Sequence, residues 1–160
     1  MPDANGNLLG IQEFTDGRKI RLHSALGGGD LVFWFGTEEW PKLHSLNDGE
    51  ARPDTVLTIE ARPENGAFRL FQRDRMGDHA LRLIWRGNMI GREYDDRYQP
   101  EHKDQFTVDM LDGGCWFALN NLMRSRVFDV EYGEARAGAR IIAWEWNGGV
   151  NQSWRAQIVE

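Results

Sequence analysis

Cysteine is nearly absent. Cys115 stands alone, which excludes an intramolecular disulfide and any cysteine-cluster zinc site. Proline is sparse, at five residues. Positive charge is in deficit, with 19 Lys and Arg against 25 Asp and Glu for a net charge of -6. Proteins that track phosphate backbones show the opposite balance, so no nucleic-acid partner is expected. The longest apolar runs, Leu31 to Phe35 and Gly113 to Leu119, fall far short of the ~20 residues that span a bilayer, and no membrane insertion is expected. Met1 to Gly10 is polar and glycine-punctuated, unlike a signal peptide. These absences lead to the expectation of a cytoplasmic protein, with any release by a non-classical route. A helical period is missing too: no apolar i, i+3, i+4, i+7 stripe of about fifteen residues appears.

What is present is aromatic and turn-rich. Seven Trp and eight Phe accompany eighteen Gly, a mixture that favours strands joined by tight turns. Short alternating runs recur at Lys19 to Leu22, Thr55 to Glu60, Ala67 to Phe71, Gln105 to Met110 and Arg155 to Val159. The expected class is all-β, with a short helix or two at most.

The chain also repeats itself. Leu43-His44-Ser45-Leu46-Asn47-Asp48-Gly49 resembles Ile90-Gly91-Arg92-Glu93-Tyr94-Asp95-Asp96, and both resemble Ile142-Ala143-Trp144-Glu145-Trp146-Asn147-Gly148. Each copy is preceded by two apolar strands: Ile20 to Leu22 with Leu31 to Trp34, Phe68 to Leu70 with Ala80 to Leu83, and Phe117 to Leu119 with Val127 to Val130. Each is followed by a closing strand, at Leu57 to Ile59, Phe106 to Val108 and Trp154 to Ile158. Four strands recur three times, over about residues 18–62, 66–112 and 115–160. One such unit cannot bury its own apolar face, so the three must close on one another. A propeller needs about four blades or more. The expected fold is therefore a single-domain β-trefoil: three four-stranded repeats with pseudo-threefold symmetry.

The third unit carries a more specific string. Val127-Phe128-Asp129-Val130, Gly138 to Trp144, and Asn147-Gly148-Gly149-Val150-Asn151-Gln152-Ser153-Trp154 together resemble one repeat of the ricin-B-type β-trefoil lectins, most of all their fungal members. The Gln152-x-Trp154 pair matches that family's QxW hallmark. The resemblance implies a carbohydrate site formed by Asp129, Trp144 and Asn151, with Gln152 tying the loop and Trp154 packed in the core. Ile142, Trp146, Gly149 and Arg136 complete the candidate lining. The family often has a polar residue where Ile142 stands, so the galactose or GalNAc-type preference that the resemblance implies is left open.

These residue types suit a sugar. A carboxylate accepts two bonds from vicinal hydroxyls, and bonds to a charged acceptor are strong. Asn both donates and accepts, and an indole offers a rigid face to the sugar's C–H patch at small entropic cost. Other roles stay open: Asp129 as a turn cap, and Trp144 and Trp146 as barrel-cap core, since alternation puts both on the same face as Ile142. Arg136 and Arg140 flank the site as candidate donors. In the other units Phe33 and Arg82 align with Asp129, and Ser45 and Arg92 with Trp144, so both units look empty.

Nothing in the sequence proposes catalysis. His23, His44, His79 and His102 lack ligand spacing and read as surface or cap histidines. Gly27-Gly28-Gly29-Asp30 lacks the Lys-Ser/Thr of a phosphate loop and reads as a turn. Asp95-Asp96-Arg97 and Asp109 to Asp112 lack calcium-loop spacing, and Glu38-Glu39 point apart in a strand, unlike a glycosidase pair. The expectation is a non-catalytic glycan-binding protein without cofactor or metal, with a homodimer among its expected partners. The competing reading is a β-trefoil protease inhibitor acting through a protruding loop, Glu38 to Arg52 or Arg92 to Lys103.

Overall fold

The computed structural model describes residues 2–35, 40–46, 55–62, 66–74, 77–84, 89–93, 104–111, 114–122 and 126–159. Among them lie twelve strands: β1 (Lys19–Ser24), β2 (Leu31–Trp34), β3 (Lys42–Ser45), β4 (Leu57–Arg62), β5 (Ala67–Asp74), β6 (Gly77–Ile84), β7 (Met89–Glu93), β8 (Phe106–Met110), β9 (Phe117–Asn121), β10 (Arg126–Val130), β11 (Ile141–Glu145) and β12 (Trp154–Ile158). There is no α-helix among the described residues. Four single-turn 3-10 segments appear instead, at Ile11–Glu13, Leu26–Gly29, Glu131–Gly133 and Val150–Gln152. Segments of three or four residues are too short to leave a periodic trace in the sequence.

Six strands close on themselves through antiparallel pairs: β1 with β4, β4 with β5, β5 with β8, β8 with β9, β9 with β12, and β12 back to β1. The other six form three hairpins, β2–β3, β6–β7 and β10–β11. Closure removes every edge from the ring, which protects it from pairing with other chains.

Corresponding positions can be read from the pairing itself. Ile20 faces Leu57, Phe68 faces Phe106, and Phe117 faces Trp154, all buried. These pairs make the inward side chains of the ring. Phe14, from the N-terminal segment, stacks on Phe68 at 4.8 Å and meets Phe117 edge-on at 5.6 Å. Phe128 stacks on Phe33 at 5.6 Å and meets Phe106 edge-on at 5.5 Å, so the core joins hairpins to ring. The N-terminal residues are structural despite their polar sequence: Leu8 is fully buried and its N–H donates to the Ala156 carbonyl.

The histidine expectation changes. His23 and His79 are buried inside β1 and β6, and His23 Nδ1 lies 2.7 Å from the Gly29 carbonyl oxygen. His23 lies on the face of β1 opposite Ile20 and Leu22, and its burial there is met by that backbone partner. His44 is half-buried and its ring lies 5.8 Å from that of Trp34. The inhibitor loops change as well, since β3 occupies Lys42–Ser45 within the span Glu38 to Arg52, and Arg92 belongs to β7. Glu38-Glu39, Asp95-Asp96-Arg97, His102, Asp112 and the remainder of Arg92 to Lys103 beyond Glu93 lie outside the described residues.

Candidate functional site

The β10–β11 hairpin sets the frame of the site. Val127 faces Trp144 and Asp129 faces Ile142, so these four side chains share the face turned away from Phe128 and Ala143. On that face the β10 side chains are the deeper ones and those of β11 the more open. Val127 is fully buried, Asp129 is 4% exposed, Ile142 9% and Trp144 48%. Trp146, beyond the strand end, is 45% exposed. Both indoles are therefore outside the core, which removes the barrel-cap reading for them. The guanidinium of Arg126 lies 6.0 Å from the Trp144 ring centroid, at the outer limit of a cation–π contact.

Asp129 is buried rather than set out on the surface. Its carboxylate is held from two directions: Asn151 Nδ2 donates to Oδ1 at 3.1 Å and Gln152 Nε2 donates to Oδ2 at 2.8 Å. Each oxygen keeps a further lone pair beyond its protein donor. Burial pushes the Asp129 carboxyl above its ordinary range, the donors from Gln152 and Asn151 oppose that shift, and the nearby Glu131 charge adds to it.

The two amides do more than hold Asp129. Asn151 Nδ2 also donates to the Val130 carbonyl at 3.1 Å. Gln152 Nε2 donates to the Glu145 carbonyl, and its Oε1 accepts from Asn147 N–H, both at 2.8 Å. One buried carboxamide thus ties the end of β11 to the Val150–Gln152 turn and to β10. Trp154, fully buried, donates from Nε1 to the Phe128 carbonyl at 3.0 Å.

Gly149 has a steric reason. A Cβ there would collide with Asn151 Oδ1 and lie 2.9 Å from Asn147 Oδ1. Its N–H donates to Asn147 Oδ1 at 2.8 Å, which closes an Asx turn in front of Asn151. The candidate arginines are already engaged. Arg136 pairs with Glu134 at 2.5 Å, and Arg140 grips Glu131 in bidentate fashion at 2.8 and 2.9 Å. Arg140 belongs to the loop's own scaffold rather than to a ligand surface.

The other units need realignment by one residue. Val32, Ala80 and Val127 pair with His23, Phe71 and Asn120, each three residues beyond Ile20, Phe68 and Phe117. This register puts Trp34, not Phe33, at the Asp129 position, while Arg82 keeps it in the second unit. His44 and Glu93, not Ser45 and Arg92, take the Trp144 position, facing Val32 and Ala80. Matching Leu43 and Ile90 to Ile142 by aliphatic character misleads; their pairing makes them equivalent to Ala143 and Ile141.

A further difference escaped sequence reasoning. The residue two before the closing strand is Thr55, Asp104 and Gln152 in turn, buried each time. In the first two units an arginine of the first strand reaches it: Arg21 Nε donates to Thr55 Oγ1 at 3.0 Å, and Arg69 Nε pairs with Asp104 Oδ2 at 2.9 Å. The third unit has Ala118 at that place. Gln152, with no arginine to meet, bonds to Asp129 instead. The signal was the Arg21, Arg69, Ala118 series, already in register in the aligned first strands of the sequence, whose meaning appears once Thr55, Asp104 and Gln152 are seen at its end.

Among the described residues, no three His, Cys, Asp or Glu side chains group to hold a metal ion, and no helix is long and apolar enough to cross a membrane.

No family model and no curated protein matches the sequence. Solved structures do match. A mosquitocidal holotoxin superposes with a TM-score of 0.73 at 16% identity, over 89% of this chain and 16% of that one. The BEL beta-trefoil gives 0.69 at 17% identity, over 91% and 95%. A Polyporus squamosus lectin, solved with a human-type influenza-binding epitope, gives 0.67 at 11% identity, over 90% and 50%. The chain therefore spans a small part of the toxin and half of the lectin. At such identities the likeness is one of fold, and the fold is a β-trefoil.

Proposed function

We infer that this protein is a non-catalytic, carbohydrate-binding β-trefoil of the ricin-B type, with one glycan site in its third repeat. The units 18–62 and 66–112 serve as scaffold, and 115–160 carries the site. The observation that carries the reading is the network of Asp129, Asn151 and Gln152 beside the half-exposed Trp144. A fixed carboxylate with free lone pairs next to an open aromatic face offers the two things a pyranose presents partners for. The likeness to a lectin bound to a glycan epitope supports the same reading, although trefoils host many functions.

In this reading Asp129 accepts from sugar hydroxyls, Asn151 donates and accepts at the rim, and Trp144 stacks on the C–H face. Trp146 and Gly149 border the pocket. Ile142 contributes no hydrogen bond, so galactose or GalNAc-type ligands would be gripped through Asp129 and Asn151 alone. The site is shallow, and single-sugar affinity is expected at roughly 0.1–1 mM. A glycan array followed by isothermal titration tests the reading. Specific, chelator-insensitive binding supports it; no binding to any glycan overturns it.

A further inference from the structure

Tyr132 is at odds with its surroundings. Among the described residues it is the single non-glycine with positive φ, at 60°, and it is 85% exposed. A bulky L-residue in the left-handed region is strained, and exposure this high leaves no packing to offset the strain. Gly133 beside it has φ 62°, a conformation that costs glycine nothing. Strained, exposed residues of this kind cluster where function needs them.

The turn that carries Tyr132 belongs to the candidate site. Glu131–Gly133 is seated against Val150–Gln152, and a Cβ on Gly133 would lie 3.9 Å from Asn151 Cβ. Its base is fixed: Glu131 N–H donates to the Arg140 carbonyl at 2.8 Å, and the Arg140 guanidinium holds the Glu131 carboxylate. A rigid base with an unpacked aromatic tip is the form of a contact residue.

The order along the hairpin gives its place. Val127 faces Trp144, Asp129 follows, and Tyr132 comes just past the end of β10. From the level of the Val127–Trp144 pair to the end of β10 at Val130 is about 10 Å at roughly 3.3 Å per residue, wider than one pyranose ring, with Trp144 at one end and the turn carrying Tyr132 at the other. They stand at opposite ends of the stretch centred on the carboxylate. We propose that Tyr132 is a second stacking wall and a specificity-determining residue. The site then takes an oligosaccharide of at least two rings, one against Trp144 and Asp129 and a further one against Tyr132.

This inference rests on the glycan-site reading, and the experiment separates the two. Wild type, Tyr132→Asn and Trp144→Ala are compared on an array of mono-, di- and trisaccharides that share a terminal sugar. Asn tolerates the left-handed region, so Tyr132→Asn removes the ring and relieves the backbone. Its ratio of trisaccharide to monosaccharide affinity should fall about tenfold, the loss of one stacked ring, without a fall in melting temperature. Trp144→Ala should weaken all lengths alike. An unchanged ratio in a Tyr132→Asn protein whose wild type binds glycans overturns the second wall alone. A wild type that binds no glycan overturns both readings.

Discussion

Gln152 holds Asp129 from behind: its amide donates to Oδ2 at 2.8 Å while its own oxygen receives the Asn147 N–H. The carboxylate proposed to bind and the loop tie are therefore one unit, and neither can be altered without the other responding.

The first consequence concerns Asp129→Ala. Truncation removes the acceptor for sugar hydroxyls and leaves the buried Gln152 amide and the Asn151 amide short of a partner. Each unsatisfied buried donor costs about 1–3 kcal/mol. Glycan binding should vanish, and the melting temperature should drop clearly, measured by calorimetry. An unchanged melting temperature with intact binding would show that the network holds neither fold nor ligand.

Asp129 also makes the molecule sensitive to pH. Its folded pKa lies above the ordinary value because of burial. An acid of that kind favours the fold below its unfolded pKa, and this contribution is lost as pH rises through the raised folded pKa. Asp129→Asn should flatten that part of the stability profile in urea titrations across the acidic range. Ligand affinity should run the other way, weakening as acidification protonates the carboxylate and removes acceptor capacity.

Two tryptophans should respond oppositely. Trp144 is 48% exposed and Trp154 fully buried. Trp144→Ala should weaken binding of every ligand with little thermal shift. Trp154→Ala removes a core indole and its bond to Phe128, at a cost of about 3–5 kcal/mol, enough to unfold a marginal domain. Circular dichroism melts beside titration of the same samples distinguish them.

Gly149→Ala should act at a distance of one side chain. The added methyl displaces Asn151 Oδ1, so affinity should fall severalfold while far-UV dichroism stays native. Unaltered affinity would place Asn151 outside the ligand contact.

Valency follows from the repeats. With one site per chain a monomer should bind glycans without cross-linking cells, whereas a homodimer should agglutinate them. Light scattering with binding stoichiometry checks this; two sugars per monomer would contradict the scaffold role given to the first two units.

The strand pattern was legible because apolar spacing survives in every unit, from Ile20 and Leu22 to Trp154 and Ala156. The trefoil followed from counting those strands. Exact register was not legible. Aliphatic residues occupy both faces near Ile141 and Ile142, so similarity alone cannot tell which faces the core, and a slip of one exchanges the faces. The partners of Asp129 were hidden too: Gln152, which bonds it, sits where the other units carry Thr55 and Asp104, and Ala118 stands where they carry arginine. Tyr132 left no trace at all, because a positive φ at a non-glycine residue has no sequence signature.

Pairing of β1 with β12, where Ile20 meets Ile158, has a kinetic meaning. The ring can be sealed only by strands from opposite ends of the described chain, so its closure is a long-range event that slows folding. Asn151 and Gln152 lie directly before β12, and their partner Asp129 lies in the hairpin before that. The carboxylate gains its two amide donors only when the Val150–Gln152 turn is seated against β10. The appearance of ligand binding during refolding should therefore coincide with the slowest step, which makes a glycan a timer for completion of the barrel.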